Sequence, residues 1–307
     1  MKVSMLTKVA PLAVAAALFA APASAADLYV KAPKVAVVEA PSQFDIAFGA
    51  LVQSDYNFRG ISQSDRGAGV GAYFEPRYKF GNFEAYVGIG GLSTALPTQP
   101  TAEIDLYGGL RYTWGALTFD VGGIYYYYPR EKQQFCIDAG CTGVSSNGAF
   151  APFTLRDTDF AEVYGKVNWT VNDWLGLGAY VYHSPDWLNT GASGTYAGGT
   201  VKITAPSTFL PSSIGTYVSA EVAHYWFGTP SAFFTLPFVD YTYWNAGIGF
   251  TYKALTLDLR YHDTDLSRGE CFALTGDPRG VVSGQSRWCG QSFVAKLSVD
   301  TTLSAIK

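Results

Sequence analysis

Hydrophobic and polar residues alternate along most of this chain with a period of two. Between Phe44 and Phe58 the even positions are Phe44, Ile46, Phe48, Ala50, Val52, Ser54, Tyr56 and Phe58. The odd positions between them are Asp45, Ala47, Gly49, Leu51, Gln53, Asp55 and Asn57. One face is aromatic and aliphatic and the other is polar or small, which is the signature of a β-strand. The same pattern predicts further strands over Val70–Phe80, Phe83–Leu92, Glu103–Trp114, Leu117–Tyr128, Phe160–Trp169 and Leu175–Ser184. It continues over Thr195–Ala205, Ile214–Phe227, Tyr241–Tyr252, Leu255–His262 and Phe293–Val299, giving about twelve strands in all.

Where a strand carries several charges, they share one parity. Asp45 pairs in phase with Asp55, Glu75 with Arg77 and Lys79, Glu162 with Lys166, and Asp258 with Arg260. A soluble sandwich would also keep its inner face free of charge, so this alone does not decide the class. The aromatic residues do. They gather at strand ends, with Phe80, Phe83, Trp114, Trp169, Trp174 and Tyr252 near one set of turns. Tyr56, Phe58, Tyr125, Tyr127, Trp226 and Trp244 gather near the other, with Ala, Val, Ile and Leu between them. Two aromatic girdles around an aliphatic band mark a membrane barrel.

The connections alternate between long and short, as they do in outer-membrane barrels. Gly81-Asn82, Gly115-Ala116, residues 170–174 and Lys253-Ala254 are short. Residues 59–69, 93–102, 129–159, 185–194, 228–240 and 263–292 are long, and residues 206–213 are longer than the alternation predicts. Pro76 is awkward inside a strand because it lacks the N–H of a ladder. It predicts a bulge or an earlier strand end. The fold expected is all-β: a transmembrane, antiparallel, up-and-down barrel over residues 44–307.

Composition narrows the classes further. Charged residues make up 15% of the chain and aromatics 16%, which excludes disorder, and the net charge of −4 argues against nucleic acid as a partner. Residues 1–25 read as a secretory signal: Lys2 and Lys8, an apolar run Val9–Ala20, and a small-residue cleavage site Ala23-Ser24-Ala25. Residues 26–43 read as a periplasmic linker. The expected address is the outer membrane of a Gram-negative bacterium.

Four cysteines, Cys136, Cys141, Cys271 and Cys289, fall in the two longest outer loops. In an oxidising compartment they predict disulfides. Three pairings exist, and Cys136–Cys141 with Cys271–Cys289 is favoured because each closes its own loop. Zinc is disfavoured without a histidine or paired CxxC spacing, and neither metal nor cofactor is expected. By parity His183 and His224 face outward and His262 inward. His262, Asp263 and Asp265 are the nearest approach to a catalytic His–acid set. Successive strand residues diverge, however, so no catalytic residues are expected. Gly88-Ile89-Gly90-Gly91 opens no helix and is not a nucleotide site.

Ser54-Asp55-Tyr56-Asn57-Phe58-Arg59-Gly60-Ile61-Ser62-Gln63-Ser64 resembles the start of the TorF-type porins, a family of proteobacterial outer-membrane proteins. Tyr182-His183-Ser184-Pro185-Asp186, and Leu255–Tyr261 with Asp263-Thr264-Asp265, are similar to later parts of that family. Residues 26–36 are similar to the mature N-termini of some rhizobial-type porins. The resemblance implies an outer-membrane barrel and a pore. Such barrels commonly end in an aromatic residue, whereas this chain ends Ser304-Ala305-Ile306-Lys307. Either a tail runs past the last strand or insertion uses a variant signal.

Parity assigns a pore lining. Its acids are Asp45, Asp55, Glu75, Glu84, Glu103, Asp105, Asp120, Glu162, Glu221 and Asp258. Its bases are Arg59, Arg77, Lys79, Arg111, Lys166, Lys202, Arg260 and Lys296, and His262 joins them. Near balance predicts weak ion selectivity. The function expected is passive diffusion of small hydrophilic solutes through a narrow channel. Alternatives are a closed barrel with structural or surface-interaction duties, its charges paired across the lumen, and a lipid-modifying enzyme. Expected partners are outer-membrane lipid, those solutes and the barrel-assembly machinery, with oligomerisation left open.

Overall fold

The computed structural model describes residues 42–132, 157–206, 210–211, 213–231, 238–280 and 282–306. The expected signal segment, most of the linker, Cys136 and Cys141 lie outside the described residues. The strands are β1 (Phe44–Gln53), β2 (Asn57–Phe58), β3 (Ile61–Ser62), β4 (Gly69–Phe80) and β5 (Phe83–Leu92). They continue as β6 (Glu103–Trp114), β7 (Leu117–Tyr127), β8 (Phe160–Thr170), β9 (Leu175–Ser184) and β10 (Gly194–Thr204). The last are β11 (Gly215–Phe227), β12 (Tyr241–Tyr252), β13 (Leu255–Thr264) and β14 (Ser292–Thr302).

β1 and β4–β14 form one closed barrel in which each strand pairs antiparallel with its chain neighbour, and β1 closes on β14. β2 and β3 form a separate two-stranded hairpin inside the first long connection. Strands about 4.8 Å apart, tilted by roughly 40°, place a twelve-stranded backbone about 12 Å from the barrel axis. Alternate residues point in and out, so the sequence alternation becomes two surfaces. Outward aliphatic residues such as Val87, Val121 and Val163 are exposed mid-strand. Outward Phe80, Trp114, Trp169 and Trp174 ring the short-turn end, and Tyr125, Tyr127, Trp226 and Trp244 the long-loop end. No helix among the described residues is long and apolar enough to cross a membrane.

Four features differ from the expected pattern. β1 ends at Gln53 rather than Phe58, because Ser54 to Ser64 turn into the barrel mouth. Tyr56 and Phe58 therefore face the interior and do not join the outward girdle. Pro76 makes neither a bulge nor a strand end. The β4–β5 register is the same before it, at Phe74↔Ile89, and after it, at Arg77↔Tyr86. Only the two rungs between are lost, while Pro76 still stands opposite Ile46 of β1. The missing N–H thus interrupts one ladder without shifting it. Finally, β14 runs on to Thr302, which brings Asp300 to the inner face. Beyond it the chain continues in a 3-10 turn, Ser304–Ile306, and the Ser304 hydroxyl donates to Asp45 at 2.6 Å.

The inner wall is built from a repeated cross-strand pair of glycine and tyrosine. Gly49 faces Tyr73, Gly88 faces Tyr107, Gly109 faces Tyr86, Gly122 faces Tyr164, Gly198 faces Tyr180 and Gly249 faces Tyr217. Each ring lies where the missing glycine Cβ would be. A Cβ on Gly109 would come within 2.6 Å of the Tyr86 hydroxyl, and one on Gly249 within 2.1 Å of the Tyr217 ring. The rings lie against the wall, an aromatic rescue of sheet glycines.

The buried core is not central. It lies inside the long-loop mouth, where wall residues Tyr126, Phe160, Tyr196, Tyr225, Tyr241 and Tyr243 meet loop residues Ile61, Trp187, Cys271 and Trp288. The connection 265–291 carries helix α1 (Arg268–Thr275), capped by a Ser267–Glu270 capping box. It is closed by the Cys271–Cys289 disulfide, the pairing favoured from the sequence.

Candidate functional site

The segment Ser54–Ser64 forms a tight hairpin pushed into the long-loop mouth. β2 and β3 are joined by the two-residue turn Arg59-Gly60, with φ values of 50° and 87°. Both are left-handed, as a type I′ hairpin turn requires. Gly60 is obligatory, because a Cβ there would meet Thr264 at 2.2 Å and the Tyr243 ring at 2.8 Å. Arg59 has a Cβ and therefore sits in a region that side chains disfavour, so its contacts must hold it there.

Those contacts are extensive. The guanidinium donates two parallel bonds of 2.7 Å to the Glu162 carboxylate of β8, far round the barrel from β1. The two side chains are 6% and 0% exposed. The Arg59 Cζ lies 4.4 Å from the Tyr196 ring centre, 4.6 Å from Phe58, 5.0 Å from Tyr182 and 5.1 Å from Tyr225. The result is a cation held by one carboxylate and a cage of aromatic faces. The Tyr126 hydroxyl donates to Glu162 at 3.0 Å, and the Tyr241 hydroxyl donates to the Arg59 carbonyl at 3.0 Å.

Asp55 is the hub that shapes the hairpin. It accepts from Ser62 at 2.5 Å, Ser64 at 3.0 Å and Arg66 at 3.1 Å. Arg66 also donates to the carbonyls of Arg287 and Cys289, tying the first loop to the disulfide-closed one. Tyr56 and Tyr128 both donate to Glu103, the latter at 2.7 Å. Burial, and then the Glu103 charge, hold both hydroxyls well above the usual phenol range, so they remain donors. Asp55 and Arg59, expected on the wall, belong instead to this inserted loop.

The remaining lining residues do lie on the inner wall, and their charges separate along the axis. In the short-turn half, Lys79, Glu84, Arg111, Asp120 and Lys166 stand directly opposite one another on five successive strands. Arg111 donates to Glu84 at 2.7 Å and to Glu75 at 3.1 Å, and lies 3.5 Å from Asp120. Arg77 donates to Glu75 at 2.6 Å. Arg260 donates to Asp258 at 2.9 Å and to Asn245 and Ser219. Lys296 stands opposite Asp258, and Lys202 lies over the Tyr217 ring. These pairs lie within one strand or between strands no more than two apart around the wall. In the long-loop half, Glu103, Asp105 and Glu162 face inward, while Glu221 faces inward at mid-strand and shares Asn245 with Arg260. Glu221 is held by the hydroxyls of Tyr180 and Tyr196 and by Asn245. Asp105 Oδ1 has no hydrogen-bond partner. The loop supplies Arg59 to this acidic zone.

His262 is buried and shares a 2.7 Å hydrogen bond with Tyr243, while Asp263 accepts from Tyr261 on the opposite face. The two side chains diverge. Glu131, Asp157 and Asp159 converge at the mouth, where they accept from Thr158, Tyr128 and Tyr125. The cage tyrosines Tyr182, Tyr196 and Tyr225 were not singled out as site residues from the sequence. Their role was missed because tyrosine reads as girdle or wall until the hairpin is seen among them.

No curated protein matches the chain in sequence. Among solved structures, the COG4313 outer membrane channel from Pseudomonas putida F1 is 9% identical, with a TM-score of 0.42 over 89% of this chain and 100% of that one. LpxR from Salmonella typhimurium is 12% identical, with a TM-score of 0.41 over 83% and 99%. The Pseudomonas putida toluene transporter TodX is 11% identical, with a TM-score of 0.40 over 86% and 89%. The model of one bacterial family, described only as of unknown function, matches residues 37–292 and so takes in the hairpin and every barrel strand before β14; the chain belongs to that family, Gcw_chp.

Proposed function

We propose that the protein is an outer-membrane channel of narrow bore for small hydrophilic solutes, closed at its long-loop mouth by the Ser54–Ser64 hairpin. The observation that carries this reading is how the barrel is closed. Its inner wall carries charged and polar side chains, with tyrosines lying against glycines, and the hydrophobic core is confined to the long-loop mouth around the inserted loop. The exposed aliphatic band between aromatic rims supports a bilayer location, and residues 1–25 fit an export signal. The resemblance to the TorF-type porins points the same way. Charges paired around the wall support weak ion selectivity in the short-turn half.

Planar-bilayer recording of the refolded protein tests this. The wild type gives rare or small conductance steps, and a variant with Asn57–Ser62 replaced by Gly-Gly gives frequent, larger ones. Absence of steps from that folded variant refutes the channel. A closed structural barrel is then the better reading, favoured by the aromatic packing of Trp187 on Tyr225, Phe227 and Phe238 at the mouth.

A further inference from the structure

We propose that the pocket filled by the Arg59 side chain is a binding site for a guanidinium-bearing solute, and that Arg59 is its built-in occupant while the barrel is closed. This rests on the channel reading, since the site is vacated only when the hairpin withdraws. Apart from Phe58, everything that recognises the guanidinium belongs to the wall and not to the loop. Glu162 is on β8, Tyr182 on β9, Tyr196 on β10 and Tyr225 on β11. Withdrawal of the hairpin would remove Arg59 and Phe58 and leave a carboxylate beneath three tyrosine faces.

The chemistry of that pocket is specific. Two oxygens at 2.7 Å from two guanidinium nitrogens make a planar fork, which a point-charge ammonium cannot match. Aromatic faces attract cations and repel anions. The surrounding zone has the same preference. Glu103 and Asp105 face the lumen in the same half, Asp105 Oδ1 has no partner, and the wall base Lys166 lies over the Tyr164 ring, 5.2 Å from the Tyr182 ring and off the Glu162 carboxylate. Tyr126 keeps its hydrogen bond to Glu162 whichever cation is present, so the carboxylate stays oriented for a replacement.

The geometry also explains why the occupant is strained. Arg59 holds a left-handed φ of 50° in order to reach the cage. A free guanidinium makes the same contacts without that backbone conformation.

The test is calorimetric titration of the refolded barrel in detergent with methylguanidinium, with methylurea as the neutral isostere. Folding of each variant is verified by circular dichroism. Arg59→Ala is expected to bind methylguanidinium at least about tenfold more tightly than methylurea. Adding Glu162→Gln removes that preference, and the wild type binds neither because Arg59 occupies the pocket. Equal binding of the two probes by folded Arg59→Ala, or a preference that survives Glu162→Gln, overturns the proposal. If Arg59→Ala does not fold, the variant with Asn57–Ser62 replaced by Gly-Gly is titrated instead, with the same expected and refuting results. Titration reads no current, so the two readings fail separately. A variant that conducts without preferring methylguanidinium loses the site and keeps the channel. One that binds it and never conducts loses the channel.

Discussion

Glu162→Gln isolates the hairpin's main anchor. The substitution keeps the shape of the side chain and removes its charge, leaving the Arg59 guanidinium in the aromatic cage without a counter-ion. Both partners are buried in the wild type, at 6% and 0% exposure. Removing one partner of a buried pair costs about 3–5 kcal/mol, because the other charge remains desolvated. The hairpin has an escape that a core residue lacks: it can swing out and hydrate Arg59. The cost therefore appears as a shift between inserted and withdrawn hairpin, not as unfolding of the barrel. At about 1.4 kcal/mol per tenfold, a 3 kcal/mol loss raises the withdrawn population roughly a hundredfold. Trypsin reports this directly, since Arg59 lies in the segment and is buried when it is inserted. Under limiting protease, cleavage follows the open population. The expected result is cleavage roughly a hundredfold faster than in the wild type, with the barrel's unfolding midpoint nearly unchanged. A cleavage rate within about threefold of wild type would show that the ion pair does not hold the hairpin, and would refute the argument.

Three further outcomes test other parts of the fold. Gly109→Ala forces a Cβ to within 2.6 Å of the Tyr86 hydroxyl and 2.5 Å of the Val121 carbonyl, so it should lower stability by about 1–3 kcal/mol in urea titration. Gly176→Ala, with nothing within 4 Å, should be neutral in the same assay. Removing the Cys271–Cys289 disulfide by a double alanine substitution releases a loop with a sequence separation of 18, worth about 3 kcal/mol of chain entropy. Hydrogen exchange should rise in residues 268–290 while the strands stay protected. Val121→Arg puts a charge at an outward mid-strand position that is 58% exposed, and should cost about 2–4 kcal/mol in lipid vesicles. Unchanged vesicle stability would mean that this face does not meet acyl chains.

Much of the architecture was legible before any coordinates. Every barrel strand was recognised within a few residues, because an antiparallel strand with lipid on one side and water on the other must alternate at period two. The short turns at Gly81-Asn82, Gly115-Ala116 and Lys253-Ala254 were legible for the same local reason. Cys271 and Cys289 were paired from their place in one loop. Errors came where a local pattern was recruited by a distant partner. Tyr56 and Phe58 continue the alternation of β1, yet the chain leaves the wall after Gln53, and only contacts with Glu103 and Tyr126 show why. Pro76 was expected to disturb the strand. The unbroken ladder to β1 carries the register across it, a cooperative effect no single residue reveals.

The sequence by itself determined the barrel, its two faces and most of the charges on the inner wall, because all of these follow from side-chain parity along one strand. The tertiary structure alone decided which charges meet. Parity cannot show how the bases of the short-turn half are paired along the wall, nor how the acids of the other half are held. Nor can it show that Arg59, more than a hundred residues from Glu162 in the chain, is the cation delivered to them. Closure of the ring brings β8 to β11 around the hairpin. A site assembled from five places in the chain leaves no spacing in the sequence for a motif to record.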